Sequence, residues 1–176
     1  MTPLRFILVG LGARSRIWRR VLMEHAECAL VGLVEIDDER RDEATRNWPD
    51  LAVGPSIEAV MRSTDAEVAL LCSPPAGREQ QITQACDAGL AILAEKPLAD
   101  EYSTAAAYVE QAERAGVPLS VALNFRYLAV TRALKALFAP GRLGRPEFAR
   151  FTYERWRDGR LPHLNRYPLT MVQPML

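Results

Sequence analysis

The sequence predicts an α/β fold: a doubly wound parallel sheet over residues 1–122, followed over residues 123–176 by the start of a second, α+β domain. Three observations carry this. Short apolar runs, of the kind buried on both faces of a sheet, alternate with longer segments of helical period. The connections between them are short, so the crossovers are right-handed and each helix packs back on the sheet. After Ala122 the alternation stops.

Taken in order, residues 6–9 (Phe-Ile-Leu-Val) form the first buried strand. Residues 15–26 read as a helix with Ile17, Trp18, Val21 and Leu22 on one stripe. Residues 29–34 are a second buried strand, 38–47 a charged, exposed helix and 50–53 a short third strand. Ser56 caps a helix over 57–62, offering its side-chain oxygen to free helix N–H groups. Residues 68–71 are a strand and 77–88 a helix, with Gly89 placed for a left-handed stop that tolerates no Cβ. Residues 91–94 are the fifth strand, 102–115 a helix ended by Gly116 and Pro118, and 119–122 the sixth strand.

Beyond it, residues 131–138 read as one more helix and 140–146 as a breaker-rich connection. Residues 148–156 alternate as a strand with Phe151 and Tyr153 on its apolar face. Such a face, left on an unpaired edge, invites association, so a homo-oligomer through this C-terminal segment is expected. The seven arginines between Arg142 and Arg166 read as a solvated strand face and loop, or else as a patch for an acidic substrate or partner.

Composition narrows the function classes. Lys plus Arg and Asp plus Glu are both 22, and 49% of the residues are hydrophobic. The zero net charge gives no electrostatic ground for a nucleic-acid or membrane partner. No apolar run approaches the ~20 residues of a membrane span. The N-terminal apolar stretch is broken by Arg5 and lacks a signal-peptide cleavage site. Cys28, Cys72 and Cys86 form no Cys-x-x-Cys pair, and the histidines are only His25 and His163, so no metal site is expected. This cysteine usage suits a reducing, cytoplasmic setting.

Chemistry gathers at the strand ends. Gly10-Leu-Gly12-Ala13-Arg14-Ser15 joins the first strand to the first helix. A strand feeding a helix through glycines puts free N–H groups and the positive end of the helix dipole at one spot, where a pyrophosphate binds. Ser15 stands where the usual third glycine would be, small enough for close packing and able to add a hydroxyl donor. As a bare motif, Gly-x-Gly is also a plain tight turn. Glu35, 20 residues on at the end of the second strand, adds an acceptor for adenosine ribose hydroxyls and repels a 2′-phosphate, favouring NAD over NADP. A methyltransferase carries a similar loop and acid, so both readings stay open at this point.

Cys72-Ser73-Pro74-Pro75 ends the fourth strand and Glu95-Lys96-Pro97 the fifth, both in the crevice where open α/β sheets bind ligands. Lys96 is the candidate for chemistry: an ammonium there can donate to a substrate oxygen and stabilise charge developing on it. As an isolated pair, Glu95-Lys96 reads as a surface ion pair. His25 ends the first helix, where its ring can meet the carbonyl end of the dipole.

Together the glycine loop, Glu35, Ser73-Pro-Pro75, Ala85-x-x-Ala-Gly89, Glu95-Lys-Pro-Leu98, Asn124-Phe-Arg126 and Gly141-Arg-Leu-Gly144 resemble the glucose–fructose oxidoreductase / inositol dehydrogenase family of NAD(P)-dependent enzymes. The resemblance implies a Rossmann cofactor domain over 1–122 and an incomplete substrate and oligomerisation domain over 123–176. It implies hydride transfer between NAD and a secondary alcohol of a sugar or polyol such as a cyclitol. Lys96 would be catalytic, beside the nicotinamide, with a cis peptide to Pro97. Gly10, Gly12, Ala13, Arg14, Ser15, Glu35, Ser73, Pro74, Glu95, Lys96 and Asn124 would contact the cofactor. Arg126 and Arg78 would face the substrate, Arg78 standing where the family usually has a histidine. The family's later Asp-x-x-x-His proton-transfer motif does not occur before Leu176, and Asp158 and His163 have the wrong spacing for it. A non-catalytic dinucleotide-binding module, a redox sensor or assembly partner, is the alternative.

Overall fold

The computed structural model describes residues 2–139, 144–145, 147–148 and 150. The chain divides into two compact units, Met1–Ala122 and Leu123–Leu176. The first unit contains β1 (Leu4–Val9), α1 (Ala13–Glu24), β2 (Cys28–Val34), α2 (Asp38–Asn47), β3 (Ala52–Gly54), α3 (Ile57–Met61), β4 (Val68–Leu71), α4 (Arg78–Asp87), β5 (Ala91–Ala94), α5 (Tyr102–Ala115) and β6 (Leu119–Val121). All strands pair parallel, in the order β3-β2-β1-β4-β5-β6. This is the doubly wound sheet that the alternation predicts. The order reverses between β1 and β4, which opens a crevice beyond their carboxyl ends.

The core follows from the two-residue period of a strand. Along β1, Phe6 and Leu8 point to one face and Ile7 and Val9 to the other. Phe6 and Leu8 join Leu33, Val68 and Leu70 under Leu22 and Ala44, with Trp18 and Trp48 packed alongside. Ile7 and Val9 join Val34, Ala69 and Leu71 under Ile57, Val60, Ile82, Ala85 and Tyr108. A sheet covered on both faces explains why its strands are continuous apolar runs. Ser56 caps α3, its side chain accepting from the Ala59 N–H, and Gly89 takes a left-handed φ of 67° after α4.

Two local expectations are corrected, the buried face of α1 and the bounds of β3, and His25 and Asp37 take local partners. Helix α1 begins at Ala13, and its buried residues are Ser15 and Leu22, whereas Ile17 and Val21 are exposed. The helix presents a face one position removed from the apolar stripe, because small Ser15 and the Trp18 ring seat it against the sheet. The His25 Nδ1 accepts from the Glu27 N–H at 3.2 Å, just past the end of α1. Asp37 is the N-cap of α2, its side chain accepting from the Arg40 N–H at 2.9 Å. β3 lies at Ala52–Gly54, one to two residues later than its composition suggests.

The second unit opens with a 3₁₀ turn, Asn124–Tyr127, and continues into α6 (Ala129–Leu137). The strand expected over 148–156, its role in association, and Asp158 and His163 lie outside the described residues. Among the described residues, no helix is long and apolar enough to cross a membrane.

Candidate active site

Four turns of the first unit meet beyond the carboxyl edge of the sheet. The first is the glycine loop. The Gly10 N–H donates to the Val34 carbonyl at 2.8 Å, and its φ of 86° lies in the left-handed region. A Cβ on Gly10 would come within 2.9 Å of the Ser73 nitrogen, so this residue brings the ends of β1 and β4 together. Gly12 behaves differently. It is the N-cap of α1, and among the described residues no side chain caps the helix there and a Cβ added to it would meet nothing within 4 Å. The first-turn N–H groups of α1 have no intrahelical acceptor and no acidic side chain stands in that turn, so the helix start faces open space with its donors available to an anion.

Ser15 is a correction. It is fully buried, and its hydroxyl donates to the Gly12 carbonyl at 2.7 Å. The hydroxyl closes the loop from within and is not a donor for a ligand.

Glu35 is 5% exposed at the end of β2. One carboxylate oxygen accepts from the Leu11 N–H at 2.7 Å; the other accepts from the Ile36 and Asp37 N–H groups at 2.9 and 3.2 Å. A carboxylate has about four lone-pair sites, so these donors leave room for about one ribose hydroxyl, not two. Arg40 approaches to 3.8 Å, and Arg41 donates to the Glu35 and Ile36 carbonyls at 2.9 and 2.8 Å. Sequence reading missed both arginines, since a charged helix reads as solvent-facing. Their position five and six residues after the strand-end acid was the available signal.

The fourth strand end holds Ser73, whose hydroxyl donates to Gln81 Oε1 at 2.5 Å, and exposed Pro74. Burial, reinforced by Glu95, pushes the Cys72 thiol up to about 12, so it stays protonated near neutrality and is no nucleophile.

At the fifth strand end, Glu95 and Lys96 do not pair. Glu95 is 5% exposed, and its Oε1 accepts from Arg14 Nε at 2.6 Å and from Trp18 Nε1 at 2.7 Å. Lys96 is half-buried and, among the described residues, has no carboxylate within salt-bridge distance. The Lys96–Pro97 peptide is cis. Arg14 and Glu95 thus act on each other, joining the glycine loop to the strand that carries Lys96.

Arg78 is the second correction. It is 1% exposed, and its guanidinium donates to the carbonyls of Ser73, Glu95, Pro97 and Leu98. Burial pulls it below its usual range, while Cys72, Glu95, Tyr108 and Asp100 pull it back up. A side chain enclosed in this way cannot reach a substrate. Asn124 and Arg126 belong to the second unit, on its opening 3₁₀ turn. Among the described residues, no cluster of three or more His, Cys, Asp or Glu side chains is arranged to hold a metal ion.

A family model described as an oxidoreductase family with an NAD-binding Rossmann fold matches residues 4–123. The chain belongs to the Gfo/Idh/MocA oxidoreductase family.

Gfo/Idh/MocA relatives extend the comparison. Inositol 2-dehydrogenase of Streptomyces avermitilis is 34% identical over 109 residues, which covers 61% of this chain and 32% of the relative. Glucose-6-phosphate 3-dehydrogenase of Bacillus subtilis is 28% identical over 138 residues, 78% of this chain and 38% of the relative. The WlbA dehydrogenase of Bordetella pertussis, solved with NADH and UDP-GlcNAcA, superposes with a TM-score of 0.74 at 26% identity, over 82% of this chain and 42% of that one. The chain therefore spans about a third to two fifths of the length of these Gfo/Idh/MocA proteins.

Proposed function

We propose that this chain carries the cofactor site of an NAD-dependent dehydrogenase acting on a secondary alcohol of a sugar or cyclitol. The observation that carries the reading is the separation of Glu95 from Lys96. With Glu95 held by Arg14 and Trp18, the Lys96 ammonium stands at the mouth of β5 without a carboxylate partner among the described residues.

Two features support the fit of a dinucleotide. The uncapped start of α1, with open space over Gly12, suits a pyrophosphate held by the N–H groups of Gly12, Ala13 and Arg14. The remaining acceptor capacity of Glu35 suits one adenosine ribose hydroxyl and opposes a 2′-phosphate, favouring NAD over NADP. Ser73 and Pro74 border the nicotinamide ribose. Glu95 serves through Arg14, fixing the loop. Asn124 and Arg126 are assigned to cofactor and substrate by resemblance. The bound nicotinamide supplies the centre that accepts or gives the hydride. Lys96 donates a hydrogen bond to the reacting oxygen and orients it, and in the reducing direction its ammonium supplies the proton that the carbonyl oxygen takes up as hydride arrives.

The test has two parts. Calorimetric titration of the chain with NAD and NADP should show binding, tighter for NAD. The protein should then form NADH from NAD and a sugar or cyclitol in a panel assay. Absence of NAD binding would overturn the reading. Binding without turnover on any alcohol would leave a non-catalytic dinucleotide module in its place.

A further inference from the structure

We propose that Arg78 is a positioning residue for Lys96, a buried fork that draws the backbone carbonyls of two strand ends inward and so keeps them off the ammonium. The inference rests on the reading of Lys96 given above.

Parallel pairing of β4 with β5 reaches Leu71 and Ala94, and the Glu95 N–H still donates to the Leu71 carbonyl. Beyond that point the two chains leave the sheet as turns, and their carbonyls have no ladder partner. Arg78 enters there as the first residue of α4, with its own N–H on the Pro75 carbonyl at 3.1 Å. One terminal nitrogen donates to the carbonyls of Glu95 at 2.8 Å, Leu98 at 3.1 Å and Pro97. The other donates to the carbonyl of Ser73. The acceptors at 95, 97 and 98 flank Lys96 on both sides.

The arrangement is specific to a guanidinium. Its planar fork presents two terminal nitrogens to carbonyls on separate chains, whereas an ammonium is a point donor on a flexible stem. The site also tolerates a defect: Arg78 Nε is buried and has no hydrogen-bond partner among the described residues. An unpartnered buried donor is unfavourable, so the four carbonyl contacts must outweigh it. Without Arg78, those oxygens would lose their donor, and three of them belong to residues 95, 97 and 98, next to or within two residues of Lys96 along the chain.

The chain has two lysines, Lys96 and Lys135, and Lys135 is exposed on α6, which makes it an internal standard. The experiment is competitive acylation of the full chain with limiting acetic anhydride, reading the Lys96 to Lys135 labelling ratio by peptide mass spectrometry. Native protein is compared with Arg78→Met and Arg78→Lys, each checked for its fold by circular dichroism. Once the freed carbonyls capture the ammonium, the ratio should fall several-fold in Arg78→Met and to an intermediate value in Arg78→Lys. If only Arg78→Lys folds, its ratio decides. A native ratio in either folded variant overturns the proposal, because a merely structural arginine changes stability without changing the reactivity of one lysine. Labelling needs no cofactor, so this arm judges the clamp alone. Protection of Lys96 by added NAD in the native chain judges the functional reading separately.

Discussion

Arg14 Nε lies 2.6 Å from Glu95 Oε1, a contact between the first turn of α1 and the end of β5. Because the same oxygen also accepts from Trp18, Glu95 is committed to α1 and not to the lysine that follows it in sequence. The contact is thus what separates a chemical reading of Lys96 from that of a surface ion pair.

Glu95→Ala should destabilise the fold by about 1–3 kcal/mol, since it leaves the Trp18 N–H without its acceptor. Arg14→Ala should cost about 1 kcal/mol or less, because that side chain is 40% exposed and its ion pair is screened by solvent. Urea unfolding of the two single variants and the double variant measures both effects and their coupling.

Lys96→Met should leave the urea midpoint and NAD affinity close to native, as among the described residues no carboxylate pairs with the ammonium. In the dehydrogenase proposed above, turnover should fall by roughly 10²–10⁴-fold. Normal turnover with the best alcohol would return Lys96 to a structural role.

Gly10 and Gly12 should separate cleanly. Gly10→Ala places a side chain at a φ of 86° and against Ser73, and should cost at least about 1–3 kcal/mol of stability. Gly12→Ala has room for its methyl group and should stay within about 1 kcal/mol of native stability, while losing NAD affinity because the methyl fills the space over the helix start. Thermal unfolding with parallel NAD titration reads both.

Glu35→Ala should weaken NAD binding by about 1.5–3 kcal/mol, the value of a hydrogen bond to a charged group. It should also lower stability, because the Leu11, Ile36 and Asp37 N–H groups lose their acceptor. Equal affinity of the native protein for NAD and NADP would remove the argument for NAD.

The Cys72 thiol ionises at about 12 in the folded chain, against 9.0 for an unperturbed thiol. As pH rises through that interval, the unfolded chain loses this proton and the folded chain keeps it, so stability falls. Below the interval both forms are protonated and the dependence vanishes. Cys72→Ala should therefore flatten the alkaline fall in urea midpoint, leaving values near neutrality parallel to native.

The sheet was legible because its signals are local. Residues 68–71 and 91–94 are bounded apolar runs, and both strands occupy those positions. Helix α5 also spans Tyr102–Ala115, as its period and the following Gly116 indicate. The site was legible only where position along a strand fixes the chemistry, as for the glycine loop and Glu35. Partners distant in sequence were not legible. Nothing near Glu95 announces Arg14, 81 residues away. Arg78 reads as a substrate-facing cation until the carbonyls that enclose it are assembled by two strand ends. The orientation of α1 was hidden for a related reason: the apolar stripe of Ile17, Trp18, Val21 and Leu22 pointed to one face, and the contacts of Ser15 and Trp18 with other elements turn a neighbouring face inward.

The cradle at the end of β1 is already closed by its own bonds: Gly10 to Val34, Leu11 to Glu35, and Ser15 to Gly12. No segment of this loop has to order itself around an arriving dinucleotide. Capture should then proceed without a slow unimolecular phase, its observed rate rising linearly with ligand concentration. The small entropy loss in the protein leaves more of the contact energy visible as residence time.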